Sequence, residues 1–144
     1  INLLASCFDD PSVEIATLVR KVEAGEDLAN PNHPKVVIDL SGYAIYFSRS
    51  VIPYLRDVPA AEWITRHTYY KHIGLYGYRT DILKRLTALP RSPLEKAESL
   101  EQNRWLENGF RIKTALTLWE NIGIDTPDDL ERVEKIFDQN NKNA

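Results

Sequence analysis

The run Tyr69 to Tyr78, Tyr-Tyr-Lys-His-Ile-Gly-Leu-Tyr-Gly-Tyr, sets polar aromatic groups at a two-residue spacing. Successive side chains of a strand alternate faces, so Tyr70, His72, Gly74, Tyr76 and Tyr78 share one side, and Tyr69, Lys71, Ile73, Leu75 and Gly77 the other. At ~3.3 Å per residue His72 and Tyr76 stand roughly 13 Å apart along the backbone, with only Gly74 between them. A missing side chain flanked by hydrogen-bonding ones predicts a shallow hollow with donors on its rim. The plainer alternative is a half-exposed tyrosine-rich strand with a surface histidine.

A second candidate is a carboxylate in apolar company. Drawn as one helix at ~100° per residue, the segment 93–108 places Leu94, Ala97 and Trp105 in one sector, with Glu101 inside it and Glu98 at its border. An unpaired buried carboxylate is costly, so Glu101 is expected either to pair with an internal arginine or to line a wet pocket. Gln102 beside it carries no signal alone. A third is Asp125 in Gly123-Ile-Asp-Thr-Pro127, at a strand-to-helix junction stiffened by capping and by the proline. A rigid, exposed carboxylate there suits a hard cation such as Mg²⁺, or merely complements the helix dipole. Among the basic residues Arg49 and Arg56 are candidates, since guanidinium forks onto carboxylate or phosphate. His33 and His67 lie in polar loops. No zinc-ligand spacing, Gly-rich phosphate loop or Gly-x-Ser-x-Gly occurs.

The elements that must hold these residues follow from local signals. Residues 2–8 read as the close of a helix stopped by Asp9-Asp10-Pro11. Residues 13–22 alternate like a strand but would also pass as a short helix. A polar loop runs from Glu23 to Pro34, then two β-rich runs flank Ser41-Gly42, a tight hairpin whose turn needs positive φ. A proline-bearing loop, 51–57, leads to the strand 69–78. Thr80 is expected to cap a helix through Ala88. Ser92-Pro-Leu-Glu95 forms a capping box with proline at N1, and Gly109 is expected to end that helix about four turns later. A strand over 110–119 and a last helix from Thr126 to about Asp138 complete an α/β layered class.

The 144 residues suit one domain. A net charge of -3 argues against a nucleic-acid binder, and no apolar run approaches a membrane span. The single cysteine, Cys7, fits a reducing cytoplasm. Without a methionine and with an apolar opening, the chain reads as part of a longer protein.

Six motifs stand in one order: Asn30-Pro-Asn, Lys35-Val-Val-Ile-Asp, Gly42-Tyr-Ala-Ile-Tyr-Phe-Ser-Arg-Ser-Val-Ile-Pro, Lys71-His-Ile-Gly-Leu-Tyr-Gly-Tyr-Arg, Ser92-Pro-Leu-Glu with Glu98-Ser-Leu-Glu-Gln, and Gly123-Ile-Asp-Thr-Pro-Asp-Asp-Leu-Glu-Arg-Val. From about Ile15 to Ile136 the chain resembles the C-terminal part of the 3-deoxy-manno-octulosonate cytidylyltransferases, the CMP-Kdo synthetases. The resemblance implies a Rossmann-like nucleotidyltransferase α/β fold with a mixed sheet, usually homodimeric. It implies transfer of CMP from CTP to 3-deoxy-manno-octulosonate (Kdo) with Mg²⁺, releasing pyrophosphate, for lipopolysaccharide assembly. It makes Arg49 and Arg56 holders of the anionic sugar acid. By the same resemblance His72, Tyr76, Glu101 and Gln102 grip its carboxylate and hydroxyls, and Asp125 is a metal-binding carboxylate. Residues 1–138 would be the sugar-binding part of one domain and 139–144 a frayed tail.

The family's Gly/Ser-rich phosphate motif and its Gly-Asp-Glu-Pro are not in these 144 residues, so the chain alone is expected to be inactive. Leu55 stands where an aspartate is usual before the Arg56 position, and Tyr54 where tryptophan is usual, which weakens the case for Arg56. A non-catalytic sugar-acid-binding or dimer-forming module is the competing reading. A related sialic-acid cytidylyltransferase is the third, against which the Ser92-Pro-Leu-Glu and Glu101-Gln102 pattern speaks.

Overall fold

A computed structural model describes residues 1–119. Five strands form one mixed sheet: β1 (Ile15–Lys21), β2 (Lys35–Ile38), β3 (Ala44–Ser48), β4 (Tyr70–Tyr78) and β5 (Ile112–Leu116), in spatial order β3-β2-β4-β1-β5. Only the β1–β5 pair is parallel; the others are antiparallel. The ambiguous 13–22 segment is thus a strand, and its near-complete burial explains why periodicity could not type it. The hairpin forms as its sequence requires. Gly42 takes φ +79°, and the Asp39 carboxylate accepts the N–H groups of Ser41 and Tyr43 at 2.8 Å each.

Helices cover both faces. Helix α1 (Asn2–Ser6) runs into a 3-10 turn, Cys7–Asp9, and packs Leu4, Cys7 and Phe8 on Val13, Ala16, Leu18 and Ile73. Beyond a short α2 (Trp63–Arg66), helices α3 (Thr80–Thr87), α4 (Pro93–Glu98) and α5 (Glu101–Glu107) cover the other face. There Ile82, Leu86, Leu100 and Trp105 meet Ile15, Val19, Phe47 and Ile112. The expected α/β layering with a mixed sheet is therefore present.

Two helix expectations need correction. Thr80 is the first helical residue of α3 rather than its cap; Arg79 occupies the N-cap and supplies no capping side chain. The segment 93–108 is two helices, not one. The Ser92 capping box starts α4 as expected, but Ser99 adopts φ 52°, ψ 45° and breaks the chain before α5 begins at Glu101. A single helical wheel cannot survive a left-handed residue, so the apolar sector drawn around Glu101 does not exist. The expected helix from Thr126 and the tail lie outside the described residues.

The break at Ser99 is held from β3 and its exit. The Glu98 carboxylate accepts Ser48 Oγ at 2.6 Å, Tyr46 Oη at 3.2 Å and the Arg49 N–H at 2.9 Å. Burial pushes its pKa up, but these donors outweigh that, and the group stays below its ordinary value. Arg49 Nε and Nη2 donate to the carbonyls of Glu98 (2.8 Å) and Ser99 (3.4 Å). One turn on, the fully buried Asn103 takes the place of a neighbouring strand. Its Nδ2 donates to Phe47 C=O at 2.9 Å, and its Oδ1 accepts Phe47 N–H at 3.4 Å.

Replacing Asn103 by alanine strands both buried backbone groups of Phe47, each costing about 1–3 kcal/mol. Asn103→Ala should therefore lower unfolding stability by about 3 kcal/mol in urea titration; a loss under about 1 kcal/mol would contradict the strand-mimic role.

Candidate functional site

The site begins with an irregularity in the β1–β4 ladder. Leu18 pairs with Ile73, yet the preceding Thr17 pairs with Tyr76, so one step on β1 spans three on β4. Gly74 and Leu75 are the surplus residues of a bulge. They do not form the floor of a hollow between His72 and Tyr76, as straight alternation suggested. Both are exposed and line an apolar groove with Leu18, Ile73, Leu116 and Trp119. Taking them out of the ladder brings the His72 and Tyr76 rings to 5.2 Å instead of leaving them apart.

Thr17 is completely buried at the other side of this bulge. Its Oγ1 lies 2.9 Å from Leu75 C=O, 3.3 Å from Ile73 C=O and 3.0 Å from His72 Nε2. Phe47 packs edge-on against the imidazole at 5.1 Å. Burial pulls the His72 pKa down to about 4, so the ring is neutral at neutral pH.

From His72 the aromatic surface continues to α5. Tyr76 stacks on Tyr78 at 5.8 Å, and Trp105 meets both edge-on at 5.1 and 5.6 Å. Among the described residues, the buried donors Tyr76 Oη and Trp105 Nε1 of this surface, and Gln102 Nε2 on the same helix as Trp105, have no hydrogen-bond partner. Gln102 and Trp105, three residues apart on α5, are neighbours on one helix face. Unpaired buried donors are unusual because each costs about 1–3 kcal/mol, and a ligand rich in oxygen would satisfy them.

Glu101 opens α5 with its carboxylate 61% exposed and bonded to Arg104 Nη2. Of the two expectations for this residue, pairing with an internal arginine is met, and the carboxylate also faces solvent. Its charge reaches the tyrosines: burial and then Glu101 push Tyr78 up to about 12. Burial, Tyr78 and Glu101 raise Tyr76 well above its ordinary value against a smaller opposing effect from the Thr17 hydroxyl. The site thus combines a neutral imidazole, un-ionised phenols, an amide and an indole N–H with one accessible carboxylate. That donor set matches a polyhydroxylated ligand.

Of the residues proposed from the sequence, His72 and Tyr76 meet in this aromatic surface, the charge of Glu101 reaches its tyrosines, and Gln102 follows Glu101 on α5. The two arginines lie outside it. Arg49 holds main-chain carbonyls with three nitrogens, those of Glu98, Ser99 and, through Nη1 at 2.8 Å, Pro31. Arg56 is 90% exposed beside Asp57 at 3.5 Å, on a loop steadied by Tyr54 against Trp63. Asp125 lies outside the described residues. Sequence reasoning missed Thr17 and Trp105. The one available signal was a hydroxyl amid Ile15-Ala-Thr-Leu-Val19.

A family model described as cytidylyltransferase matches residues 2–122. A 3-deoxy-manno-octulosonate cytidylyltransferase of Bacteroides thetaiotaomicron is 54% identical over 140 residues, covering 95% of this chain and 56% of that protein. One of Porphyromonas gingivalis is 56% identical over 135 residues, covering 92% of this chain and 53% of the relative. A solved CMP:2-keto-3-deoxy-manno-octonic acid synthetase in complex with CTP superposes with a TM-score of 0.85 at 40% identity, covering 96% of this chain and 55% of that one. The chain spans about half the length of the relatives it matches.

Because folding lowers the His72 pKa from 6.5 to about 4, the unfolded chain binds the proton more tightly. The stability this contributes is fully present above pH 6.5 and is lost as pH falls towards 4, on the order of 3 kcal/mol. His72→Gln should flatten this part of the stability-versus-pH curve, measured by denaturant melts across that window. An unaltered slope would show that His72 is not held neutral.

Proposed function

The chain belongs to the cytidylyltransferase family, and from that premise we propose that its parent protein transfers CMP from CTP to Kdo, releasing pyrophosphate, for lipopolysaccharide synthesis. The observation that carries this reading is identity above one half, over nearly the whole chain, to proteins named for that reaction. The clustered unpaired donors support it, because an eight-carbon sugar acid presents the oxygens they lack.

The anomeric hydroxyl oxygen of Kdo forms a bond to the α-phosphorus of CTP, the bond from that phosphorus to the bridging oxygen breaks, pyrophosphate leaves and the hydroxyl proton is given up. The residues of this chain act on the sugar. Glu101, an acceptor only, takes sugar hydroxyls and would repel the sugar carboxylate. Gln102 and Tyr76 donate, and neutral His72 adds a hydrogen bond without adding charge. Arg49 and Arg56 are proposed to supply positive potential toward the acid. Arg49 does so from a fixed position, and its clamp on the α4–α5 break leaves two N–H groups without a partner among the described residues.

Magnesium, homodimer formation and a cytoplasmic setting belong to the same proposal. Among the described residues no group of three His, Cys, Asp or Glu side chains comes together to hold a metal. Asp125, proposed to hold the ion together with substrate oxygens, lies outside those residues. A nucleoside triphosphate substrate supports the cytoplasm, and among the described residues no helix is long and apolar enough to cross a membrane.

In the intact protein Glu101→Gln should raise the KM for Kdo roughly tenfold or more and leave the KM for CTP unchanged, read by pyrophosphate release. Equal effects on both substrates would remove Glu101 from the sugar site. Asp125→Asn should nearly abolish turnover, and unchanged turnover would reject its metal role. The 144-residue chain on its own should release no pyrophosphate, since its sequence has no phosphate loop; turnover by a mass-verified preparation would contradict this.

A further inference from the structure

We infer that Thr17 is a positioning residue for His72: its hydroxyl fixes the imidazole as the Nε2–H tautomer, leaving bare Nδ1 to accept a hydrogen bond from a hydroxyl of the sugar acid. The inference deepens the sugar-site reading of His72 and rests on it.

A threonine hydroxyl carries one proton, and Oγ1 lies within hydrogen-bond distance of Leu75 C=O at 2.9 Å, Ile73 C=O at 3.3 Å and His72 Nε2 at 3.0 Å, with the Tyr76 phenol close enough to feel it as well. The carbonyls can only accept. Were the proton aimed at Nε2, the lone pairs of Oγ1 would face two carbonyl oxygens with no hydrogen between, a repulsive arrangement in a fully buried place. Given to Leu75 C=O, the proton satisfies the closer acceptor and frees a lone pair for Nε2. Nε2 must then carry the hydrogen.

In a neutral ring only one nitrogen is protonated, so Nδ1 is the acceptor. It has no hydrogen-bond partner among the described residues. Burial keeps the ring neutral at neutral pH, which preserves the acceptor there. Phe47 at 5.1 Å and Tyr76 at 5.2 Å flank the ring and limit its rotation. The carbonyls that orient the hydroxyl are presented by the bulge itself. Thr17 therefore joins the backbone irregularity to the polarity of the histidine, and valine, of nearly the same shape, cannot replace it.

The test uses the intact, ¹⁵N-labelled protein. At neutral pH the His72 ring should show a protonated Nε2 and an unprotonated Nδ1. Thr17→Val should lose this single-tautomer signature and raise the KM for Kdo roughly tenfold, with kcat and the KM for CTP changed less than about twofold. Thr17→Ser, which keeps the hydroxyl, should restore both readouts. A protonated Nδ1 in the wild type overturns the inference, and that spectrum decides it even where Thr17→Val fails to fold. A Thr17→Val protein with unchanged Kdo KM also overturns it, while a raised KM in His72→Gln leaves the sugar-site reading standing. Unchanged Kdo KM in His72→Gln overturns both.

Discussion

The structure turns on the mismatch between two neighbouring strands, in which one residue step on β1 is answered by three on β4. Gly74 and Leu75 leave the ladder, and two carbonyls that ordinary pairing would consume turn toward the Thr17 hydroxyl. The same displacement draws His72 and Tyr76 together on one face. A regular ladder would keep their backbones roughly 13 Å apart, each beside its own cross-strand neighbour. The bulge replaces that spacing with a continuous aromatic wall from Phe47 through His72, Tyr76 and Tyr78 to Trp105.

A second irregularity supplies the other side of the wall. The left-handed Ser99 splits what would be one helix and redirects the chain, so that Glu101 and Gln102 open a new helix whose Trp105 packs on the tyrosines. The break leaves carbonyls and a carboxylate needing partners. Arg49 and Glu98 answer this reciprocally: the arginine side chain holds the α4 end, and the Glu98 side chain holds the Arg49 backbone and Ser48. The neighbouring glutamates thereby part in role. Glu98 is committed to joining helix and sheet, whereas Glu101 stays accessible with Arg104 beside it. Burial keeps the imidazole and the phenols uncharged at neutral pH, so Glu101 is the charged group beside them.

Much of this was legible beforehand because the signals are local. The capping box at Ser92, the hairpin at Gly42 and the alternation of β4 each depend on a few adjacent residues whose backbone preferences are strong. His72 and Tyr76 stood out as polar aromatic side chains on one strand, whereas Glu101 and Gln102 were singled out through the family motif around them, the apolar sector drawn for Glu101 resting on an unbroken helix. The failures share a cause. A helical wheel over 93–108 assumed an unbroken helix, and the hollow over Gly74 assumed an unbroken ladder. Serine is an uncommon left-handed residue, and nothing in Tyr-Lys-His-Ile-Gly-Leu-Tyr states that its partner strand will skip two positions. Thr17 went unremarked because a threonine in a β-rich run is ordinary.

By itself the sequence determined the order of strands and helices, where most of them start and turn, and which polar residues interrupt apolar patterns, since these follow from short-range sterics, hydrogen bonding and periodicity. Only the tertiary structure decided which of those residues meet, that Arg49 clamps backbone while Glu101 stays open, and that a hydroxyl on one strand sets the state of an imidazole on the next. Such pairings depend on register between segments dozens of residues apart, and a register is chosen by the packing of the whole sheet rather than by either strand.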